Sequence, residues 1–204
     1  MNLTEVISKQ RIVPIIRPNR VDQTVEDIGI YGEADYYVIE ILCRTPQAIE
    51  SIRSARKAFP NLYIGAGTVL TPEFAEEAVG AGAQFIVSPA MDLVVGNVAK
   101  RHGVPFIPGI CTPTDVAIAL REGFTLQKFF PAEQSGGVAM LDAFASPYGH
   151  TPLQLIAGGG VGKANVAAYW NHPLIAAIIA DWLVCLEGDS LRQALSETRA
   201  MLAD

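Results

Sequence analysis

Apolar positions along this chain keep two rhythms in turn. Short runs rich in β-branched residues alternate with longer stretches whose apolar residues recur at three and four spacing. The short runs are IVPII (12–16), YYVIEIL (36–42), LYIGA (62–66), QFIVS (84–88), VPFIP (104–108), TLQKF (125–129), LQLIA (153–157) and LIAAII (174–179). Between them, TPQAIESIRSARKAF (45–59), TPEFAEEAVGAG (71–82), MDLVVGNVAKRHG (91–103) and TPTDVAIALREG (112–123) read as helices. Several open on Thr-Pro, an N-cap followed by a proline suited to the first turn, and several stop at Gly. Ahead of the first strand, Leu3, Val6 and Ile7 recur at helical spacing.

Eight strand–helix units in succession imply parallel strands joined by crossover helices. The expected architecture is α/β: one (β/α)8 TIM-barrel domain over residues 1–204, with a short N-terminal helix. A doubly wound sheet shares this order of elements. It calls for a glycine-rich first turn, and the first turn here is RPNRVD (17–22).

Composition narrows the partners. Half the residues are hydrophobic and 18% are charged, with a net charge of -6. That balance argues against a nucleic-acid groove or an anionic membrane surface. It leaves room for a local cationic pocket. The longest apolar run, LIAAIIADWLVCL, is short for a bilayer and is interrupted by Asp181. The start, MNLTEVISKQRIVPII, lacks the basic and apolar regions of a signal peptide. Cys43, Cys111 and Cys185 show neither a disulfide framework nor a zinc spacing. A cytoplasmic protein with free thiols and no metal is expected.

In such a barrel the chemistry collects where the strands end. Side chains alternate along a strand, so Ile39 and Ile41 face the helices, while Val38, Glu40, Leu42 and Arg44 face the barrel axis. By the same parity Leu126 and Lys128 face inward. Thr68 follows the third strand, and Ser88 with Pro89 ends the fourth. IAGGGVGKAN ends the seventh strand and opens a helix near Lys163, a candidate anion cradle. Each feature also has a structural reading. Glu40 and Arg44 can close the barrel top as an ion pair. Thr68 and Ser88 can cap helices, the glycines can make a tight turn, and Lys128 can extend its ammonium out of an apolar strand end. Together they put an amine, a carboxylate and a guanidinium at one end of one barrel. Burial disfavours the charged form of an amine and leaves it nucleophilic. Arg17, past the first strand, is expected to reach Asp181, since the first and last strands of a closed barrel are neighbours.

The segments EILCRT (40–45), GAGTVLTP (65–72), FIVSPA (85–90), IPGICTPTD (107–115) and KFFPAE (128–133) resemble the class I aldolases that cleave 2-keto-3-deoxy-6-phosphogluconate and 4-hydroxy-2-oxoglutarate. The similarity runs from about residue 10 to the C-terminus. It implies a homotrimeric barrel acting on a small keto acid, without metal or cofactor, through a covalent imine on Lys128. Glu40 is then the acid/base. Arg44 and Thr68 hold the pyruvate carboxylate, and Pro89 and Phe130 wall the pyruvyl pocket. Gly159, Gly160 and Asp181 fall at the far end of the substrate.

That far end departs from the family pattern. Where the family usually reads Pro-Thr-Gly-Gly-Ile, this chain has Ala157, Gly158, Gly159, Gly160 and Val161. Where it reads Gly-Gly-Ser-Trp, this chain has Ile179, Ala180, Asp181 and Trp182. A carboxylate about 4 Å from a phosphate charge costs roughly 4 kcal/mol per charge at an effective dielectric near 20. An altered phosphate subsite is therefore expected, with a keto-acid-binding barrel of weak catalysis as the alternative. A phosphate-binding isomerase or synthase barrel is a further one.

Overall fold

The computed structural model describes residues 2–203. Helix α1 (Leu3–Gln10) leads into strands β1 (Ile12–Val13) and β2 (Ile15–Ile16), then α2 (Val21–Glu33). Next come β3 (Val38–Leu42), α3 (Ala48–Ala58), β4 (Tyr63–Gly67), α4 (Pro72–Gly80), β5 (Ile86–Val87) and α5 (Leu93–Arg101). The second half holds β6 (Phe106–Ile107), β7 (Gly109–Ile110), α6 (Pro113–Arg121), β8 (Leu126–Phe129), α7 (Gly137–Tyr148), β9 (Gln154–Ala157), α8 (Val166–Trp170), β10 (Ile175–Ile179) and α9 (Gly188–Ala203).

The ten segments make eight staves of a closed parallel barrel. One sheet runs β1-β10-β9-β8-β7 and the other β2-β3-β4-β5-β6. The join falls at Pro14, between β1 and β2, and at Pro108, between β6 and β7. Proline has no N–H, so the ladder stops there and the stave resumes with its other neighbour. The proline carbonyls still accept. Pro14 receives the Glu40 N–H at 2.9 Å, and Pro108 receives the Lys128 N–H at 2.8 Å. The fifth stave thus reaches Ile110, two residues beyond the run expected from sequence.

Strand parity sorts the core into two bodies. Ile39, Ile41, Ile64, Ala66, Ile86, Phe129 and Ile178 pack outward against helix residues such as Ile28, Ile52, Val95 and Phe144. Val38, Leu42, Phe85, Val87, Ile107, Leu126, Ile156 and Ile179 fill the barrel. Two of the three Thr-Pro starts cap as expected; the third does not, because Thr45 donates its hydroxyl to the Pro18 carbonyl and α3 begins only at Ala48, behind Gln47, which makes no capping bond. Thr71 accepts the Phe74 N–H at 3.2 Å, and Thr112 with Asp115 forms a reciprocal capping box.

Helix α1 seals the barrel at its N-terminal end. Its Leu3 and Ile7 join the inner core. Its last residue, Gln10, accepts from the Tyr37 and Val38 N–H groups at 2.6 and 3.0 Å and donates to the Ile12 and Val38 carbonyls at 2.7 and 2.9 Å. The opposite mouth, where the strands end, receives the polar residues singled out above.

Candidate active site

Glu40 sits in the middle of β3 and Lys128 near the end of β8. Both are almost fully buried, at 1% and 5% exposure. Lys128 Nζ lies 3.6 Å from Glu40 Oε1, and that oxygen has no hydrogen-bond donor in range. A buried carboxylate oxygen left unbonded calls for an explanation, and a reacting group that can take a proton is one.

The room for this carboxylate comes from β4. A Cβ added at Gly67 would lie 2.5 Å from Glu40 Cγ, and nearer still to its carboxylate. Two residues earlier on the same face, a Cβ at Gly65 would lie 2.5 Å from Phe85 Cδ2, and nearer still to the tip of that ring. Phe85 thus fills one layer of the barrel and Glu40 the layer above. Gly109, the register partner of Lys128, plays a similar part on β7. A Cβ there would meet the backbone of Pro89 and Ala90, the latter at 2.6 Å from its nitrogen. The close approach brings Pro89 beside the lysine stave. Gly67 and Gly109 were not singled out from sequence. Their signal was a glycine at inward parity, within GAGT and IPGI.

Arg44 and Thr68 meet above the pair, with Arg44 Nε donating to Thr68 Oγ1 at 3.0 Å. Thr68 has φ 58°, a strained backbone for a β-branched residue. Phe130, immediately after β8, carries its ring centroid 5.1 Å from Lys128 Nζ. The same ring approaches the glycine turn after β9. A Cβ at Gly159 would lie 3.0 Å from Phe130 Cδ2.

Gly159 and Gly160 have φ 84° and 80°, which admit glycine at little cost. The Gly159 N–H points at Asp181, donating to Oδ2 at 3.2 Å. Burial pushes the Asp181 carboxyl above the usual carboxylate range. The Gly159 N–H, the Lys128 and Arg44 charges and the Gly160 N–H pull it back. Asp181 lies at the same mouth as Lys128: its partner Gly159 abuts the Phe130 ring, which stands beside the lysine. Ile179 packs over Gly158, where a Cβ would lie 2.8 Å from Ile179 Cδ1.

Two expectations fail here. Arg17 does not pair with Asp181. β1 and β10 are neighbours, but Arg17 lies beyond the paired residues, is exposed, and makes no ion pair among the described residues. Nor does a helix N-terminus at Lys163 complete the glycine turn. α8 begins at Val166 without a side-chain cap, and Lys163 is drawn away to Glu197 at 2.7 Å. The remaining residues behave as packing or surface groups. His102 pairs with Glu76, and His172 accepts the Leu174 N–H. Burial pushes the Cys43 thiol up to about 12, with Glu40 adding to the shift. Among the described residues no group of three or more His, Cys, Asp or Glu is placed to hold a metal ion.

The arrangement defines a (β/α)8 barrel with a buried lysine–carboxylate pair at the mouth where barrel enzymes carry their chemistry. A family model described as "Aldolase: KDPG and KHG aldolase" matches residues 3–193, and the chain belongs to that family. The 2-dehydro-3-deoxy-phosphogluconate aldolase of Treponema pallidum (strain Nichols) is 38% identical over 184 residues, 90% of this chain and 87% of that protein. The solved KDPG aldolase of Legionella pneumophila, with pyruvate captured at low pH as a covalent carbinolamine intermediate, is 26% identical. Its TM-score is 0.85, over 99% of this chain and 94% of that one. The 2-keto-3-deoxy-6-phosphogluconate aldolase of Zymomonas mobilis ZM4, solved with 3-phosphoglycerate, is 25% identical. Its TM-score is 0.88, over 100% and 96%. The relatives are named aldolases, and this chain is an aldehyde-lyase of their family.

Proposed function

We propose that the protein is a class I aldolase that cleaves a 2-keto-4-hydroxy acid to pyruvate and an aldehyde, with no cofactor beyond an imine formed on Lys128. The observation that carries this reading is the buried amine 3.6 Å from a buried carboxylate oxygen that lacks a hydrogen-bond partner. The Lys128 amine adds to the C2 carbonyl carbon, and Glu40 moves the protons that release water and leave a protonated imine. The imine draws electrons from the C3–C4 bond as Glu40 takes the C4 hydroxyl proton. The aldehyde leaves, the enamine is protonated at C3, and water hydrolyses the imine to pyruvate and the amine.

Arg44 and Thr68 clamp the pyruvyl carboxylate, and Pro89 and Phe130 form the pocket walls. The distal end of the substrate lies toward Gly159, Gly160 and Asp181, in an altered phosphate subsite. The enzyme works as one barrel domain in a homotrimer. Leu70, on the connection after β4, and Val94, in the first turn of α5, are 61% and 60% exposed, follow the paired strands β4 and β5, and are suited to a subunit contact. Three free cysteines fit a reducing cytoplasm.

The test is reductive trapping. Pyruvate with borohydride should add a stable mass to the peptide that contains Lys128. No adduct sinks the Schiff-base reading. An adduct without retro-aldol cleavage favours a barrel that binds keto acids and turns them over weakly.

A further inference from the structure

We infer that Asp181 is a specificity residue. Its carboxylate occupies the anion-accepting side of the glycine turn and selects a substrate whose distal end is uncharged and carries hydroxyl groups. The inference rests on the aldolase reading of the site and names the substrate class for it.

Successive backbone N–H groups in a turn can converge on one anion. Gly159 and Gly160 form such a turn, and here the anion is the protein's own: Asp181 Oδ2 accepts the Gly159 N–H at 3.2 Å. Asp181 is half-buried and forms no ion pair within 4 Å among the described residues; the Lys128 and Arg44 charges act on it only at longer range. Counted simply, the mouth holds two cations, Lys128 and Arg44, and two anions, Glu40 and Asp181. A keto acid with a neutral distal end brings the total to one negative charge. A distal carboxylate raises it to two, and a phosphate monoester, which itself carries close to two charges at pH 7, to about three. Space adds to charge. Ile179 is buried against Gly158, so the floor of the turn is filled by a branched side chain. The free lone pairs of Asp181 accept hydrogen bonds, which suits hydroxyl groups on the departing aldehyde.

The test compares kcat/KM for three substrates in retro-aldol cleavage: 2-keto-3-deoxygluconate, its 6-phosphate ester and 4-hydroxy-2-oxoglutarate. Wild type, Asp181→Asn and Asp181→Ser are measured. Wild type should favour the unphosphorylated sugar acid over both the phosphate ester and the dicarboxylate by at least about tenfold. Removing the charge should swing the ratio of phosphate ester to sugar acid upward by on the order of 100-fold. The wild-type ratio stands as a test even if a variant fails to fold. A wild-type preference for the phosphate ester, or a ratio unmoved in folded variants, overturns the assignment of Asp181. Loss of the pyruvate adduct on Lys128 overturns the Schiff-base reading instead, so the two failures are distinguishable.

Discussion

Replacing Gly67 with alanine should disable the site while leaving the barrel folded. The new Cβ would lie 2.5 Å from Glu40 Cγ, where carbon atoms ordinarily approach to about 3.5–4.0 Å. Something must move by about 1 Å or more. The backbone of Gly67 is poorly placed to yield, because it is paired in register with Leu42 and its carbonyl holds the Cys43 N–H at 2.7 Å. Its φ is not positive, so alanine suits the backbone itself. The group that gives way is the Glu40 side chain, which then leaves its place beside Lys128. Overpacking of this kind costs roughly 1–3 kcal/mol of stability. Loss of a positioned acid/base costs about 10²–10⁴ in rate, or roughly 3–5 kcal/mol of barrier.

Gly65→Ala supplies the control. It makes a comparable collision, 2.5 Å from Phe85 Cδ2, one layer deeper on the same strand face. Both variants should melt a few degrees below wild type. Only Gly67→Ala should lose kcat by about 100-fold or more. Pyruvate release, measured beside thermal melts, reads both quantities. Equal kcat losses in the two variants, or a folded Gly67→Ala within about threefold of wild type, would refute the assignment of Gly67 as the seat of the Glu40 carboxylate.

Three further outcomes follow from the geometry. Arg44→Lys keeps the charge but loses the Nε–Thr68 bond and the planar fork, so KM for the keto acid should rise about tenfold with kcat little changed; initial-rate kinetics check it. Asp27 is buried at 4% exposure, and burial, with Glu187 and Glu26 nearby, pushes its carboxyl above the ordinary 3.8, against the Gly188 N–H and Gln23. Arg17 and Arg20 share the cleft it lines. Because the folded pKa is raised, the stability tied to this proton is complete below pH 3.8 and is lost as pH rises through the folded value. Asp27→Asn should therefore gain Tm over wild type as pH rises through that window, and a gap that narrows instead counts against it. Finally, Cys43, with its thiol pushed up to about 12, should resist alkylation at pH 8, whereas exposed Cys185 should react; mass spectrometry of iodoacetamide-treated protein separates the two.

The regular parts of the fold were legible because they depend on local periodicity. Alternation in VIEIL was enough to send Ile39 and Ile41 to the helices and Val38 and Leu42 to the axis, and the same parity aimed Lys128 inward. Thr71 and Thr112 read as caps because a hydroxyl before proline has a use close by, whereas Thr45, in the same setting, bonds the Pro18 carbonyl instead. Reach across loops was not legible. Arg17 and Asp181 follow neighbouring strands, yet the 181 carboxylate turns toward the Gly159 N–H while Arg17 stays at the surface. A helix was expected at Lys163 from the glycines before it. The intervening turn, held by Asn165 through the Gly162 N–H and the Gly160 carbonyl, delays α8 to Val166. The space beneath Glu40 depends on the absence of an atom at Gly67, which no pattern of side chains reports.

The site is assembled from two halves. The half with the lysine and the carboxylate stands on β3, β4, β7 and β8, with the Glu40 and Lys128 backbones anchored on the carbonyls of Pro14 and Pro108. The distal half stands on the turns after β9 and β10. They are joined by backbone hydrogen bonds, from the Gly158 N–H to the Phe129 carbonyl at 3.1 Å and from the Ala132 and Glu133 N–H groups to the Gly158 and Gly159 carbonyls at 2.8 and 3.1 Å, by the Phe130 ring against Gly159, and by the charges that Asp181 feels from Lys128 and Arg44. That pairing fixes the shared backbone, whereas side-chain charge acts across the whole mouth in a partly water-excluded space. Substitutions after β9 and β10 should therefore alter which aldehyde half is accepted through the sign of their charge. The addition of pyruvate to Lys128 should respond to them much less. On the proposed assignment, a change of substrate class in this barrel turns on the charge carried by the side chain at position 181.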